Sequence, residues 1–160
     1  MQVNFHTPLS HDAQRAIGIS VPQPLAMADQ VRFSQIDVLN HVNNVVYFEW
    51  FERLRIRYHQ DWGISTYEKS PENPRIVIRS GEIHYQEELK LDEVYVATCG
   101  CVKFRNTSYT LRQQIWAEGR QRAQFDCVMV LLTQNGAGRF AIPQAVKDRF
   151  VTLDGAKPEG

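Results

Sequence analysis

The sequence predicts an α+β fold in which an antiparallel sheet of about five strands wraps around one long helix. The first observation is a run of apolar and aromatic residues at helical spacing in the region 43–61. The second is a set of four later runs in which apolar and polar residues alternate, as they do in half-buried strands. The third is that the links between these runs are short, which favours antiparallel neighbours. One helix can cover the apolar face of such a sheet only if the sheet curls around it.

The composition is that of an ordinary globular protein, and it disfavours two broad classes of partner. The chain has 160 residues, of which 43% are hydrophobic and 22% are charged, and this length suits one domain. Its formal net charge is zero. Because general nucleic-acid binders and membrane-surface binders carry a strong basic excess, we expect no nucleic-acid partner and no membrane partner.

The cysteines and the N-terminus predict a cytoplasmic protein. The 3 cysteines are an odd number, so they give no closed disulfide framework, and we expect reduced thiols. The first residues lack the basic region followed by an apolar run that is typical of a signal peptide. We therefore expect the protein in the cytoplasm.

The N-terminal region predicts an extension followed by the first strand. Residues 1–27 are interrupted by prolines and follow neither a helical nor a strand period. From Asp29 to Gln35 apolar and polar residues alternate, which predicts a short strand. The expected organisation is an extension over 1–27, the main domain over 28–152 and a tail over 153–160.

The long helix is predicted from Asn43 to about Asp61. Either Asn43 or Asn40 can cap its first turn, a contribution of about 1 kcal/mol to the helix. Its buried face is formed by large apolar residues spaced three or four apart, namely Tyr47, Phe51, Leu54, Tyr58 and Trp62.

Four strands and a short helix follow. The strands are predicted as an antiparallel meander of Arg75–Tyr85, Glu93–Phe104, Thr107–Trp116 and Arg122–Thr133. The run Pro143–Phe150 predicts a short helix with the proline in its first turn. An open sheet leaves edges unpaired, and a second copy of the chain is the simplest cover for them.

The stretch "IDVLNHVNNVVYFEWFE", residues 36–52, resembles the Asp-x-x-x-His-Val-Asn-Asn-x-x-Tyr motif of HotDog-fold thioesterases. These include the 4-hydroxybenzoyl-CoA-type and acyl-CoA thioesterases and, more distantly, the plant acyl-ACP thioesterases. The segments "KFRNTSYTLRQQIW" and "AIPQAVKDRF" are similar to later parts of the family, and the order of elements fits from about Asp29 to Phe150. The resemblance implies a HotDog fold, a homodimer joined sheet edge to sheet edge or a tetramer of such dimers, and hydrolysis of an acyl thioester at the dimer interface.

The resemblance also implies which residues carry the reaction. Asp37 matches the catalytic carboxylate of the family, which acts as nucleophile or as general base toward water. The stretch Val42–Asn44 matches the start of the helix, whose free amides face the thioester oxygen, so Asn44 is expected to offer its backbone N–H. This agrees with elementary chemistry, because the first turn of a helix presents unpaired N–H donors and a positive dipole end to a developing oxyanion.

Three further residues near Asp37 and the helix start have two interpretations each. His41 acts as the base or orients the substrate, or else it is a packed histidine that supports the loop. Asn43 contacts the substrate or caps the helix, and Tyr47 lines the acyl pocket or belongs to the core.

Later residues are candidates for substrate binding. Glu82 is a candidate second carboxylate from the partner subunit, or a solvated strand residue. Ser108 follows a tight turn and either contacts the ligand or closes the turn. Arg105 either binds the phosphates of coenzyme A, for which a guanidinium is well suited, or lies on a solvated face. Coenzyme A would be part of the substrate, so we expect no separate cofactor, and the 5 scattered histidines predict no metal site.

Two positions depart from the family pattern and bear on the choice of mechanism. Asn40 stands where the bacterial enzymes often have glycine, and Leu39 stands where the plant enzymes have an amide. The second departure disfavours an Asp–Asn–His mechanism, and with it a hydratase or dehydratase. The alternative to hydrolysis is a non-hydrolytic module that binds acyl-CoA in the same groove. The acyl group, and the choice between coenzyme A and a carrier protein, remain open at the level of sequence.

Overall fold

The computed structural model describes residues 3–160. The chain forms two compact units, each built from several segments. The first contains the described chain up to Arg55 together with Ile83–Cys99 and Gln113–Phe125, and the second contains Ile56–Glu82, Gly100–Arg112 and Asp126–Gly160.

The architecture is a mostly antiparallel six-stranded sheet with one long helix, as predicted. The helices are α1 (His11–Ala16), α2 (Asn44–Asp61) and α3 (Gln144–Thr152). The strands are β1 (Leu25–Gln30), β2 (Arg75–Tyr85), β3 (Val94–Phe104), β4 (Ser108–Ala117), β5 (Arg120–Leu132) and β6 (Lys157–Pro158). The strand order is β1-β3-β4-β5-β2, with β6 pairing in parallel with β3. No helix among residues 3–160 has the length and apolar character needed to cross a membrane.

The long helix lies where the spacing of its apolar residues predicted it. Asn43 caps it, because its side-chain oxygen accepts a hydrogen bond from the Val45 amide at 3.0 Å. Tyr47, Phe51 and Tyr58 on the predicted face are at most 2% exposed. Burying one such aromatic side chain stabilises the fold by roughly 2 kcal/mol, so tertiary packing holds this helix more strongly than intrinsic propensity does.

The prediction of the first strand was wrong. Strand β1 is Leu25–Gln30, and the predicted strand residues Phe33–Gln35 form a 3₁₀ turn instead. The strand pairs antiparallel with β3, from Leu25 opposite Cys99 to Gln30 opposite Val94. Its inward residues include Ala26 and Ala28, which are at most 1% exposed but give little hydrophobic contrast in the sequence, whereas the conspicuous Phe33 is 82% exposed.

The predicted meander was correct for β3, β4 and β5 but wrong for β2. Strand β2 pairs with β5 rather than with β3. The link that leaves β2 is fixed to β5, because the Gln86 and Glu87 amides both donate to the Arg122 carbonyl, at 2.8 and 3.1 Å. The link is therefore a crossover rather than a hairpin, and β2 is the last strand of the sheet.

In the first unit, the segment before β1 packs against the sheet. Ile19 is fully buried in a cluster with Ala26, Ala28 and Val96, and Leu9 and other apolar residues of the segment pack onto it. The Leu9 amide also donates to the Ala26 carbonyl at 2.9 Å. Part of the predicted extension thus covers apolar surface of β1 and β3.

In the second unit, the end of α2 packs against the C-terminal segment. The ring of Tyr58 stacks on that of Trp62, with centroids 4.3 Å apart. Both side chains donate hydrogen bonds to the Asp154 carboxylate, which also accepts from the Cys101 amide at 2.8 Å. Burial raises the pKa of Asp154 although these three donors oppose the shift.

Candidate active site

Asp37 lies in a short loop that precedes the long helix and is held by hydrogen bonds between its own backbone groups. Ile36 and Val42 form an isolated β-bridge across its base. The Asp37 amide donates to the His41 carbonyl at 3.0 Å, and the Asn40 amide donates to the Asp37 carbonyl at 3.1 Å. Asn40 has φ of 63°, the left-handed region, which asparagine adopts more readily than most residues. Asparagine can therefore serve where glycine would otherwise be expected.

The Asp37 carboxylate is oriented by its own loop. Its Oδ1 accepts a hydrogen bond from the Leu39 amide at 2.9 Å, and the side chain is 23% exposed. Within residues 3–160, no hydrogen-bond donor contacts Oδ2. One oxygen fixes the side chain and the other remains able to accept a proton or attack a carbonyl.

His41 lies between two carboxylates. Its Nδ1 is 3.2 Å from the Val42 carbonyl oxygen and 3.9 Å from Asp37 Oδ1. Its Nε2 is 3.8 Å from Glu88 Oε2. Glu88 lies on the link between β2 and β3 and was not among the predicted site residues, because nothing in the local sequence indicates where that link runs.

The start of α2 offers fewer free amides than the sequence suggested. The Val42 amide donates to the Leu89 carbonyl at 2.8 Å, and the Asn43 amide donates to the Gln35 carbonyl at 2.9 Å. Val45 is capped by the Asn43 side chain. Among the described residues, the Asn44 amide has no hydrogen-bond acceptor. The N-terminal donor is therefore a single amide at the positive end of the helix dipole.

Tyr47 and Tyr85 pack beside this helix start. Tyr47 is 2% exposed, and its ring makes edge contacts with Trp50 and Tyr85 at centroid distances of 5.3 and 5.1 Å. Burial raises the pKa of Tyr47 to about 12. Tyr85 is 41% exposed and donates its hydroxyl to the Asn44 carbonyl at 3.1 Å. Tyr47 thus has the character of a core residue, and Tyr85, which was not among the predicted site residues, bonds to the first residue of the helix.

A buried arginine fixes the link that carries Glu88. Arg122 is 2% exposed and donates through Nη1 to the Glu88 carbonyl at 2.7 Å and through Nη2 to Glu93 Oε2 at 2.9 Å. The neighbouring Leu89 is fully buried. The pairing of Arg122 with Glu93 compensates a charge that would be costly to bury alone.

The remaining predicted residues belong to the second unit. Glu82 is exposed on β2. Arg105 and Ser108 close the β3–β4 hairpin, where the Arg105 amide donates to the Ser108 carbonyl at 2.8 Å. They line a cavity of about 300 Å³ together with Arg79, Lys103 and Glu159, and the last two form an ion pair at 3.7 Å.

The first unit holds all the other predicted site residues, namely Asp37, His41, Asn43, Asn44 and Tyr47. Residues 3–160 contain no group of three or more His, Cys, Asp or Glu side chains arranged to hold a metal ion.

Comparison with known protein families gives one match. The family model of the thioesterase-like superfamily matches residues 31–150. No curated protein matches the chain.

Several solved structures are similar to the chain. A thioesterase superfamily protein from Jannaschia sp. CCS1 is 34% identical, with a TM-score of 0.91 over 97% of this chain and 98% of that one. A thioesterase from Thermus thermophilus, solved with coenzyme A and Zn, is 28% identical, with a TM-score of 0.70 over 83% of this chain and 96% of that one. A hypothetical protein from Staphylococcus aureus, solved with CoA, shares the fold at 18% identity, with a TM-score of 0.74 over 84% of this chain and 86% of that one. These similarities confirm the predicted HotDog fold.

Proposed function

Because the chain belongs to the thioesterase-like superfamily, we propose that it hydrolyses an acyl thioester to a carboxylic acid and a thiol. The observation that carries the proposal is the junction before α2. There a half-buried carboxylate, Asp37, precedes a helix whose first amide, that of Asn44, is open among the described residues. Thioester hydrolysis needs both parts, a group that attacks or activates water and a donor for the oxyanion.

Asp37 can act in two ways. As a general base, its carboxylate takes a proton from a water molecule that adds to the thioester carbonyl. As a nucleophile, it adds to the carbonyl itself, expels the thiolate and forms an acyl-aspartyl anhydride that water then opens. In both cases charge develops on the carbonyl oxygen, and the Asn44 amide with the helix dipole behind it stabilises that charge.

We propose coenzyme A thioesters as the first substrates to test, with carrier-bound thioesters second. The thioesterase from Thermus thermophilus and the protein from Staphylococcus aureus were both solved with coenzyme A. In the second unit, Arg79 and Arg105 line a cavity in which Lys103 is already paired with Glu159 at 3.7 Å, and we propose these two guanidinium groups as the ones that would meet a phosphate. Coenzyme A is then part of the substrate, and the proposal includes no separate cofactor.

We also propose that the enzyme is a homodimer formed through the edge of β2, alone or within a tetramer of dimers. This strand ends the sheet, and most of its residues are exposed, including Ile78 at 46% and Tyr85 at 41%. An exposed, partly apolar edge strand tends to pair with another chain. In such a dimer Glu82 on β2 would be supplied by the partner.

The test is release of free thiol from a panel of aromatic and aliphatic acyl-CoAs, followed with a thiol reagent. We expect Asp37→Asn to lower kcat by at least about 100-fold, because the substitution keeps the shape but removes the base or nucleophile. Asp12→Asn is the matched control, since the Asp12 side chain is 99% exposed, and it should match the wild type. Turnover that survives in Asp37→Asn would remove Asp37 from the mechanism.

A second candidate is a non-hydrolytic module that binds acyl-CoA. It is favoured by the helix start, where the Val42 and Asn43 amides are already bonded within the protein. Submicromolar acyl-CoA binding by calorimetry, with no thiol released at any chain length, would support this candidate over hydrolysis.

A further inference from the structure

The buried guanidinium of Arg122 bonds to two separate points of the link between β2 and β3, residues 86–93. The Arg122 side chain is 2% exposed. Its Nη1 donates to the Glu88 carbonyl at 2.7 Å, and its Nη2 donates to Glu93 Oε2 at 2.9 Å. Because a guanidinium is planar and directs its donors along fixed lines, it holds these two acceptors in a defined spacing. Arg122 thus ties the two ends of the link together.

The link in turn holds both ends of the segment that carries Asp37. The Leu89 carbonyl, next to the first point bonded by the guanidinium, accepts from the Val42 amide at 2.8 Å. The carbonyl of Glu93, the second point, accepts from the Val31 amide at 2.9 Å. Asp37 lies between these two attachments. One buried side chain therefore braces the segment 31–42 at both of its ends.

The attachment at Val42 bears on both parts of the candidate site. Asp37 lies before Val42 in the chain, and Asn44 follows it by one turn-forming residue at the start of α2. While the Val42 amide is bonded to the link, the Asn44 amide is the helix-start donor left open among the described residues. Release of the link would free the Val42 amide and let the Asp37 segment shift against the helix. A misplacement of about 1 Å can cost roughly 100-fold in rate.

We propose that Arg122 is a positioning residue that holds Asp37 and the Asn44 amide at a fixed separation. It acts through the link between β2 and β3 and supplies no group to the reaction itself. The inference rests on the proposed thioester hydrolysis, and it assigns to a buried arginine of β5 the geometry of a site formed by another part of the chain.

The same strand offers a matched control. Arg120 also bonds to the link, donating to both carboxylate oxygens of Glu87 at 2.9 and 2.8 Å, but its side chain is 53% exposed. An exposed pair of this kind holds little in place. A lysine keeps the positive charge at either position but cannot reproduce the two directed bonds of a guanidinium. The same substitution at Arg122 and Arg120 therefore separates a buried brace from an exposed ion pair.

The first experiment compares the steady-state kinetics of Arg122→Lys and Arg120→Lys with an acyl-CoA. Arg122→Lys should lower kcat by about 10- to 100-fold and keep KM within about two-fold, because it disturbs the alignment and removes no substrate contact. Arg120→Lys should match the wild type in both constants. In an Asp37→Asn background, Arg122→Lys should cause little further loss, because the carboxylate that it positions is already absent. Equal losses of kcat in the two backgrounds would overturn the inference.

A second measurement separates this inference from the proposed function. Hydrogen exchange of single backbone amides is followed by NMR without substrate. In Arg122→Lys the Val31 and Val42 amides should exchange at least about ten-fold faster, the size expected when a hydrogen bond from a charged group is lost. The Gln114 amide, which donates to Thr98 Oγ1 at 3.1 Å in the buried part of β4, should keep its rate. Arg120→Lys should change none of the three.

The two measurements fail in different ways. Faster exchange at both valines, in a protein that releases no thiol from any acyl-CoA, supports the brace and refutes only the proposed function. Unchanged exchange at both valines refutes the role of Arg122 whether or not the enzyme is active.

A milder variant covers the case in which Arg122→Lys does not fold. Glu93→Gln keeps the shape of the side chain and the backbone carbonyl that holds Val31, but it removes the charge that Nη2 meets. It should show the same pattern with a smaller effect, about a three- to ten-fold loss of kcat and faster exchange at Val31 and Val42. Wild-type turnover and wild-type exchange in Glu93→Gln would contradict the inference.

Discussion

At the scale of single residues, the loop before α2 depends on one unusual backbone conformation. Asn40 lies at φ 63° and donates its amide to the Asp37 carbonyl at 3.1 Å. The same loop bends the chain so that the Leu39 amide reaches Asp37 Oδ1. The orientation of the catalytic candidate is therefore linked to the conformation of a residue that is itself exposed.

Substitutions at Asn40 should differ in stability according to whether the new residue tolerates a positive φ. Asn40→Gly should keep stability within about 0.5 kcal/mol of the wild type, because glycine adopts the left-handed region without strain. Asn40→Val should lower the free energy of unfolding by about 1–2 kcal/mol and reduce turnover, since a β-branched residue resists this φ. Urea unfolding and thiol release measure the two effects. Equal stabilities of the two variants would contradict a left-handed Asn40.

At the scale of elements, apolar periodicity predicted those helices and strands whose buried faces carry large apolar side chains. Helix α2 was found within one residue of its predicted start because large apolar side chains repeat along one face and Asn43 supplies a cap. Strand β1 was missed because small alanines form its buried face. The pairing of β2 with β5, and with it the contact of Glu88 with His41, depends on the path of a link whose anchors are distant in sequence. The sequence therefore predicted the helix start that follows Asp37, but not that Glu88 lies near His41.

The start of α2 allows one amide to be removed without removing the helix. Asn44 is the first helical position, where proline is tolerated because the N–H makes no helical bond and φ is already suitable. Asn44→Pro should therefore keep the helix but lower kcat by about 100-fold or more, as expected for loss of one oxyanion donor. Asn44→Ala keeps the N–H and should stay within about two-fold of the wild type, if the role is that of the backbone alone. Circular dichroism checks the fold of both variants. If Asn44→Pro stays folded and fully active, the donor to the oxyanion is not the Asn44 amide.

At the scale of the whole molecule, the proposed dimer turns an exposed strand into an interface. Strand β2 carries no further strand on its outer side in the described chain, and two of its apolar residues, Ile78 and Tyr85, are 46% and 41% exposed. Pairing with a second copy would satisfy its free backbone groups and cover these side chains at once.

The dimer can be tested with two apolar residues of almost equal exposure, Ile78 on β2 at 46% and Val151 on α3 at 47%. Ile78→Asp should shift the protein toward monomer in sedimentation velocity at micromolar concentration, because it places a charge in the apolar part of the β2 edge. It should also lower turnover if Glu82 of a partner completes the site. Val151→Asp introduces the same charge away from that edge and should leave mass and turnover as in the wild type. A dimer that survives Ile78→Asp but dissociates with Val151→Asp would place the interface on α3 and leave Glu82 without a role in the neighbouring site.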